Sequence, residues 1–374
     1  MRDPLAIRCV RATAVRVARL PDFLPRTAKG SPTHSEYALV EVETAGGVIG
    51  VGEATTAPAW NGEDAVGTAD LVGRVLGPEL SGLRVDDWSR VAAVIDSRVR
   101  RRPFLRCAIE AACLDAEGRI RDLPAAAILG EPCRRELATK IVLPARDPDQ
   151  VEMMAKKAIA RGATALKVKV GLDPEMDIER VRRVRSVVGE RLLSVDANEG
   201  WRADRWEHLS AALRDLDLVA VEQPFPRTAI EQTANLRRSL GAAVVADESV
   251  WDVDDLMAAG TRLAFSDVSL YPGKVGGLRR CVWLAALAHQ QGFAVSFGSN
   301  LELGVGAAAM AQVMAVIPQL STLVASDLIG PLYFEHSLVI DPGFIRYDGA
   351  SVPKGSGLGV ELDRDALREL AIDL

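Results

Sequence analysis

A chain of 374 residues, 48% hydrophobic and 26% charged, has ample apolar area for a large core, which excludes disorder as its main state; the length suits two or three domains of roughly 150 residues, or one α/β barrel with a companion module. Lys and Arg total 45 against 51 Asp and Glu, a net charge of −6, which argues against a nucleic-acid surface and leaves local charge to attract any anionic ligand. No run reaches the roughly 18 apolar residues of a membrane span, and the arginines of MRDPLAIRCVRATAVRVARL break any signal-peptide core, so a cytoplasmic protein is expected.

In chain order, residues 1–130 read as an α+β module. RATAVRVARL and YALVEVETAGGVIGVGEA look like an antiparallel meander turned at Ala45–Gly47. VDDWSRVAAVID (85–96) and PFLRCAIEAACLDAEGRI (103–120) carry helical patterns. Arg98, Arg100, Arg101 and Arg102 are read as a solvated face. From 131 to about 345 short aliphatic runs alternate with helical stretches. The runs are TKIVLP (139–144), ALKVKV (165–170), LLSVDA (192–197), LVAVEQ (218–223), AAVVAD (242–247), LAFSDVSLY (263–271) and FAVSFGS (293–299). LVASDLIG (323–330) is a weaker eighth. Asp147–Pro148 and Asp173–Pro174 each place an N-cap residue before a proline suited to the first helical position. Runs of this kind belong to a parallel sheet buried on both faces, so the order predicts an α/β fold, a barrel or a doubly wound sheet. The segment from about 346 to 374 is expected to return to the N-terminal module. Five scattered cysteines without a CxxC pair read as reduced thiols, and four histidines are too few for a His-rich metal site.

In a parallel barrel the active site lies at the C-terminal ends of the strands. The polar residues closing the runs are Lys167 and Lys169, Asp196, Glu222, Asp247, Lys274 and Glu302, spaced from Lys169 by 27, 26, 25, 27 and 28 residues. One βα unit per step gives such a spacing, and it aims all of them into one mouth. Singly, each reads as a helix cap or a surface ion pair; the ordered repetition points to chemistry. Three converging carboxylates repel unless a cation lies between them, and oxygen-only donors select a hard ion, so Mg²⁺ is expected, with Mn²⁺ as its substitute. Lys167 and Lys169 stand two apart on one strand and face the same side. Their mutual repulsion and a nearby metal are expected to lower one pKa enough for a neutral base near pH 7.

KVK, DAN, VEQP, ADES and the K-V-G-G of Lys274–Gly277, at these intervals, resemble the enolase superfamily and its muconate-lactonizing-enzyme branch. GVIGVGEATTAPAW, AIEAACLDAEGR and PKGSGLGVEL extend the resemblance over nearly the whole chain. It implies a modified TIM barrel, (β/α)7β, with an N-terminal α+β capping domain at 1–130 that the tail completes. It implies that Lys169 handles an α-proton with Lys167 as helper, that Asp196, Glu222 and Asp247 bind the metal with Asn198 and Glu248 behind them, that Lys274 stands on the opposite face, and that Glu302 ends the seventh strand. The mandelate-racemase branch uses a His–Asp pair that these runs lack. The dipeptide epimerases carry Asp-x-Asp on the eighth strand, and Asp327–Leu328–Ile329 has only the first.

The implied chemistry is formation or protonation of an enolate beside a carboxylate. A cycloisomerase producing a lactone is expected first. A racemase or epimerase of an N-substituted amino acid, or a dehydratase like o-succinylbenzoate synthase, uses the same residues. A Schiff-base aldolase-type barrel and a non-catalytic binding barrel are the rival classes, and neither explains three serial carboxylates. Specificity is expected from two cap loops: LPDFLPRTAKG (20–30), with Phe23, Arg26 and Lys29, and TTAPAWNGED (55–64), with Trp60. The expected partner is a small carboxylate, with no nucleic acid or membrane, and the chain is expected to be a homo-oligomer.

Overall fold

A computed structural model describes residues 3–24 and 33–372. β1 (Ile7–Ala18), β2 (His34–Thr44) and β3 (Ile49–Thr56) form an antiparallel sheet in that order. Its second hairpin closes where Thr44 donates to Val48 and accepts from Gly47, and Gly47 takes the left-handed φ of +83° that the tight turn needs. The helix Pro103–Arg121 lies across β3, buried from Phe104 to Gly118 apart from Arg106. The approach is close because β3 alternates glycine: a Cβ on Gly50 would meet the Ala112 carbonyl at 2.1 Å, and one on Gly52 the Ala108 carbonyl at 2.0 Å. Small residues on both partners therefore set the spacing of this layer.

A two-residue strand, β4 (Glu136–Leu137), leads into seven parallel strands. These are β5 (Ile141–Leu143), β6 (Ala165–Lys169), β7 (Leu192–Asp196), β8 (Ala220–Glu222), β9 (Ala243–Ala246), β10 (Asp267–Leu270) and β11 (Ala294–Phe297), hydrogen-bonded in chain order. Helices alternate with them, and Asp147 and Asp173 cap two of these helices with proline at the start, as their sequence suggested. All seven expected runs contain a strand. The eighth run forms no regular strand. It closes the ring through single bridges instead: Lys140 donates to Ser326 and Ser326 to Ala138 on one side, while Asp327 donates to Phe297 on the other. β12 (Ile345–Arg346) and β13 (Gly349–Ser351) pair with β4 in a small separate sheet.

The tail runs back along β1, where Arg16 donates to Leu370 and Ile372 to Ala14, and Arg364 pairs with Glu41 at 2.8 Å. Buried carboxylates join the N-terminal layer to the barrel by capping helices across the boundary. Glu53 on β3 accepts from Leu303 and Gly306 at the start of the helix Gly304–Ala315, at 2.7 and 2.8 Å. Glu110 accepts from Leu278 at 2.8 Å and from Arg279, at the start of the helix Leu278–Gln290. Each satisfies amides that a helix leaves without an internal partner. All five cysteines are free. Among the described residues no helix is long and apolar enough to cross a membrane.

Candidate active site

The C-terminal ends of β6, β7 and β8 bring Lys169, Asp196 and Glu222 side by side in register. Lys167, one inward step earlier on β6, is 1% exposed. Its Nζ lies 2.5 Å from Asp327 Oδ2, 3.0 Å from Glu222 Oε2 and 3.2 Å from Asp196 Oδ2. Lys169 Nζ donates to the same Asp196 oxygen at 2.6 Å and to Asn198 Oδ1 at 2.7 Å. Asn198 in turn donates to Glu248 Oε1 at 3.1 Å. Asp247 follows β9, and Lys274 Nζ donates to its Oδ1 at 2.8 Å, to its carbonyl at 2.9 Å and to the Ser269 carbonyl at 2.6 Å.

These groups face a cavity of about 560 Å³ between the barrel mouth and the N-terminal layer. Its floor carries Lys167, Lys169, Asp196, Asn198, Glu222 and Asp247. One wall is aromatic, with Trp60 4.8 Å from Trp251 and 6.0 Å from Tyr271 between ring centroids. On the other, Phe23 stacks on Tyr333 at 4.1 Å. Phe23 and Trp60, expected from the cap loops, both line it; Arg26 and Lys29 lie outside the described residues.

Lys274 and Glu302 are placed differently from an open catalytic pair. Neither is among the cavity-lining residues. Lys274 is buried with three protein oxygens on its ammonium. Tyr271, whose ring lies 5.2 Å from that nitrogen, faces the cavity in its place. Glu302 is turned back onto Ser299 Oγ, at 2.5 Å, and the Asn300 amide. Burial raises its pKa, with Asp327 adding to the effect.

A further group entered no sequence-based expectation. Lys140, 3% exposed at the start of the first barrel run, pairs with Asp327 Oδ1 at 2.9 Å and donates to the Ala325 carbonyl. Asp327 thus bridges Lys140 and Lys167. Burial opposes its ionisation, but the two ammoniums outweigh this and hold its pKa below the usual carboxylate value. Burial alone would also favour neutral Lys167; Asp327, Glu222 and Asp196 overcome it and push that pKa well above the ordinary lysine value. Three touching carboxylates outweigh one neighbouring lysine and favour the charged form of Lys167. Asp196 is likewise held low by Lys169 and Lys167 against its burial.

Glu222 behaves oppositely. Burial, aided by Asp196 and Asp327, pushes it up to about 8 despite Lys167. It is a carboxylate short of positive charge. Around the mouth, Asp196, Glu222, Asp247, Glu248, Glu302 and Asp327 are all buried, against the ammoniums of Lys140, Lys167, Lys169 and Lys274. Among the described residues no three His, Cys, Asp or Glu side chains are already gathered as a metal shell, because ammoniums hold the carboxylates. The donor chemistry still fits a hard cation: three buried carboxylates from successive strand ends, with no nitrogen or sulfur among them.

Comparison with known proteins bears on the whole chain. Residues 10–130 match the mandelate racemase / muconate lactonizing enzyme N-terminal domain, and residues 150–366 match the enolase C-terminal domain-like family. A chloromuconate cycloisomerase from Cupriavidus pinatubonensis is 31% identical over 343 residues, covering 90% of this chain and 92% of the relative. An N-succinyl-L-Arg/Lys racemase from Bacillus cereus is 27% identical over 374 residues, covering 98% of each. The crystal structure of muconate lactonizing enzyme from Pseudomonas fluorescens, complexed with muconolactone, superposes with a TM-score of 0.92 at 26% identity, covering 99% of this chain and 100% of that one. With a capping sheet over a curled parallel sheet and an all-oxygen donor set at the strand ends, this chain belongs to the mandelate racemase / muconate lactonizing enzyme family, in the muconate-lactonizing branch of the enolase superfamily.

Proposed function

We propose that this protein is a Mg²⁺-dependent cycloisomerase that protonates an enolate formed beside a carboxylate, with Lys169 as the only base that works on carbon. The observation that carries this reading is the contrast between two lysines. Lys169 is 20% exposed and opens on the cavity. Lys274 is sealed by Asp247, Ser269 and the packing around them. A racemase needs a proton donor on each face of the α-carbon; of these two lysines Lys169 alone lines the cavity.

Asp196, Glu222 and Asp247 are the residues that would hold the metal, which supplies stabilisation of the charge that develops on the two carboxylate oxygens of an enolate. Asp196 and Asn198 hold the Lys169 ammonium at the cavity floor. From there Lys169 delivers its proton to the α-carbon on one face and recovers it from solvent. Lys167 stays charged and keeps Asp196, Glu222 and Asp327 together. Lys274 fixes Asp247 and adds a stationary positive charge. Trp60, Tyr271, Phe23 and Tyr333 exclude water from the reacting carbons. The relatives named above include cycloisomerases of muconate type, and cis,cis-muconate is therefore the first substrate to try. Incubation with Mg²⁺ and NMR detection of a lactone tests the reading. Exchange of the α-hydrogen of N-succinyl amino acids without any lactone would replace it with the racemase reading.

A further inference from the structure

β6 and β10 stand four places apart in a ring of eight, seven strands and the run that closes it. Lys169 at the end of β6 and Tyr271 just past β10 therefore line the cavity from opposite sides. The chain has four tyrosines, and three have hydrogen-bonded hydroxyls. Tyr37 donates to the Leu301 carbonyl at 2.8 Å. Tyr333 donates to the Val142 carbonyl and accepts from its amide, at 2.8 and 2.7 Å. Tyr347 accepts from Arg161 at 2.7 Å. Tyr271 differs: it is 1% exposed and lines the cavity, yet none of the described residues hydrogen-bonds its hydroxyl. Its ring is held on several sides. Trp60 lies 6.0 Å away between centroids and Phe104 6.3 Å away. Lys274 Nζ stands 5.2 Å from the ring centroid. A Cβ on Gly298 would come within 3.0 Å of a ring carbon, so the glycine lets the ring lie against the end of β11.

A phenol this deep normally finds a partner for its O–H, and leaving the donor unpaired away from water is costly. The fixed ring means that little freedom is lost when a ligand supplies the acceptor. Burial, with Asp247, Glu302, Glu248 and Glu222 adding to it, pushes the phenol well above its ordinary pKa, so it stays a neutral donor. Those acidic neighbours do not favour a second anion beside them, and the Lys274 ammonium already has three protein oxygens. The acceptor that suits this place is an uncharged oxygen.

We propose that Tyr271 is a specificity-determining residue whose hydroxyl donates to an uncharged ester or lactone oxygen of the bound molecule, across the cavity from Lys169. The inference rests on the proposed function, in which the floor holds a carboxylate and a lactone is formed; it adds the residue that reads the oxygen of that ring. Phenylalanine at this place would exclude water equally well, but it could not read the oxygen.

The test is binding, not turnover. The Mg²⁺-loaded protein is titrated by calorimetry with a saturated γ-lactone that carries an acetate side chain, and with cyclopentylacetate, which has the same ring size and side chain without the ester oxygens. Wild type is expected to prefer the lactone by about tenfold, the discrimination of one buried hydrogen bond. Tyr271→Phe is expected to bring the two within about twofold and to leave the affinity for cyclopentylacetate within about twofold of wild type. The variant keeps the ring and removes an oxygen without a protein partner, so its Tm should stay within about 2 °C of wild type. A larger fall would reveal a protein partner for the hydroxyl and overturn the assignment. So would a preference that survives Tyr271→Phe, or an equal loss of affinity for both probes. A wild type that binds both equally overturns the uncharged acceptor while leaving the proposed function standing. A wild type that binds neither overturns the reading of the floor as a carboxylate site and removes this inference with it.

Discussion

Glu53→Gln separates the role of charge from the role of hydrogen bonding where the two layers meet. Glu53 accepts from the Leu303 and Gly306 amides, next to Asn300 and Leu301 of the cavity wall. Burial pushes its carboxyl from 4.5 to about 8, against the pull of those amides. The folded state therefore holds a proton that the unfolded chain releases at about 4.5. Stability from this group is fully present below that pH and is lost as pH rises through about 8. At about 1.36 kcal/mol per tenfold change in proton affinity, the upper bound on the loss is on the order of 5 kcal/mol. Glutamine has one acceptor oxygen for two amides and no proton to lose, so the variant should cost about 1 kcal/mol at pH 5. By pH 9 it should be the more stable protein. Urea unfolding of both proteins at pH 5, 7 and 9 measures the difference, and other buried carboxylates cancel in it. Equal pH slopes for the two proteins would show that Glu53 is ionised throughout and that the reasoning is wrong.

Four other outcomes are expected. Lys169→Ala should lower turnover on the order of 10²–10⁴-fold, and Lys169→Arg should be no better because a guanidinium does not exchange its proton near neutral pH; steady-state kinetics on cis,cis-muconate checks both. Lys140→Met leaves Asp327 with Lys167 alone and should cost about 3–5 kcal/mol, the range for breaking a buried ion pair, read from denaturant unfolding. Gly52→Ala drives a Cβ into the Ala108 carbonyl and should cost about 3 kcal/mol by overpacking, again by unfolding. Mg²⁺ added to chelator-stripped protein should raise Tm by a few degrees at about 100 times its Kd, and Asp196→Asn should remove the rise; a Tm that ignores Mg²⁺ would count against the donor set.

The seven barrel strands were legible because each is buried on both faces and reads as an aliphatic run, with polar residues at or soon after its end. The strand-end residues were legible for the same reason, since one repeat of βα sets their spacing. The eighth run, LVASDLIG, looked like a strand, but its ring-closing contacts are single bridges that leave no regular pattern. Lys140 and Asp327 meet from far apart in the chain, a pairing that no local pattern encodes. Arg19, just after β1, resembles the arginines within that strand, and only the folded arrangement separates it: Arg16 has Glu36, whereas Arg19 lines the cavity. Lys274 and Glu302 have the right spacing, yet spacing says nothing of depth, and both lie behind the wall.

The most direct test of the account is the fate of the proton. Turnover of cis,cis-muconate by the Mg²⁺-loaded protein in D₂O, read by NMR, should place a single deuterium on the α-carbon of the lactone with one stereochemistry, and Lys169→Ala should abolish it. If both members of an enantiomeric substrate pair exchanged their α-hydrogen instead, one dependent on Lys169 and the other on Lys274, the site would have two working faces and the central claim would be contradicted.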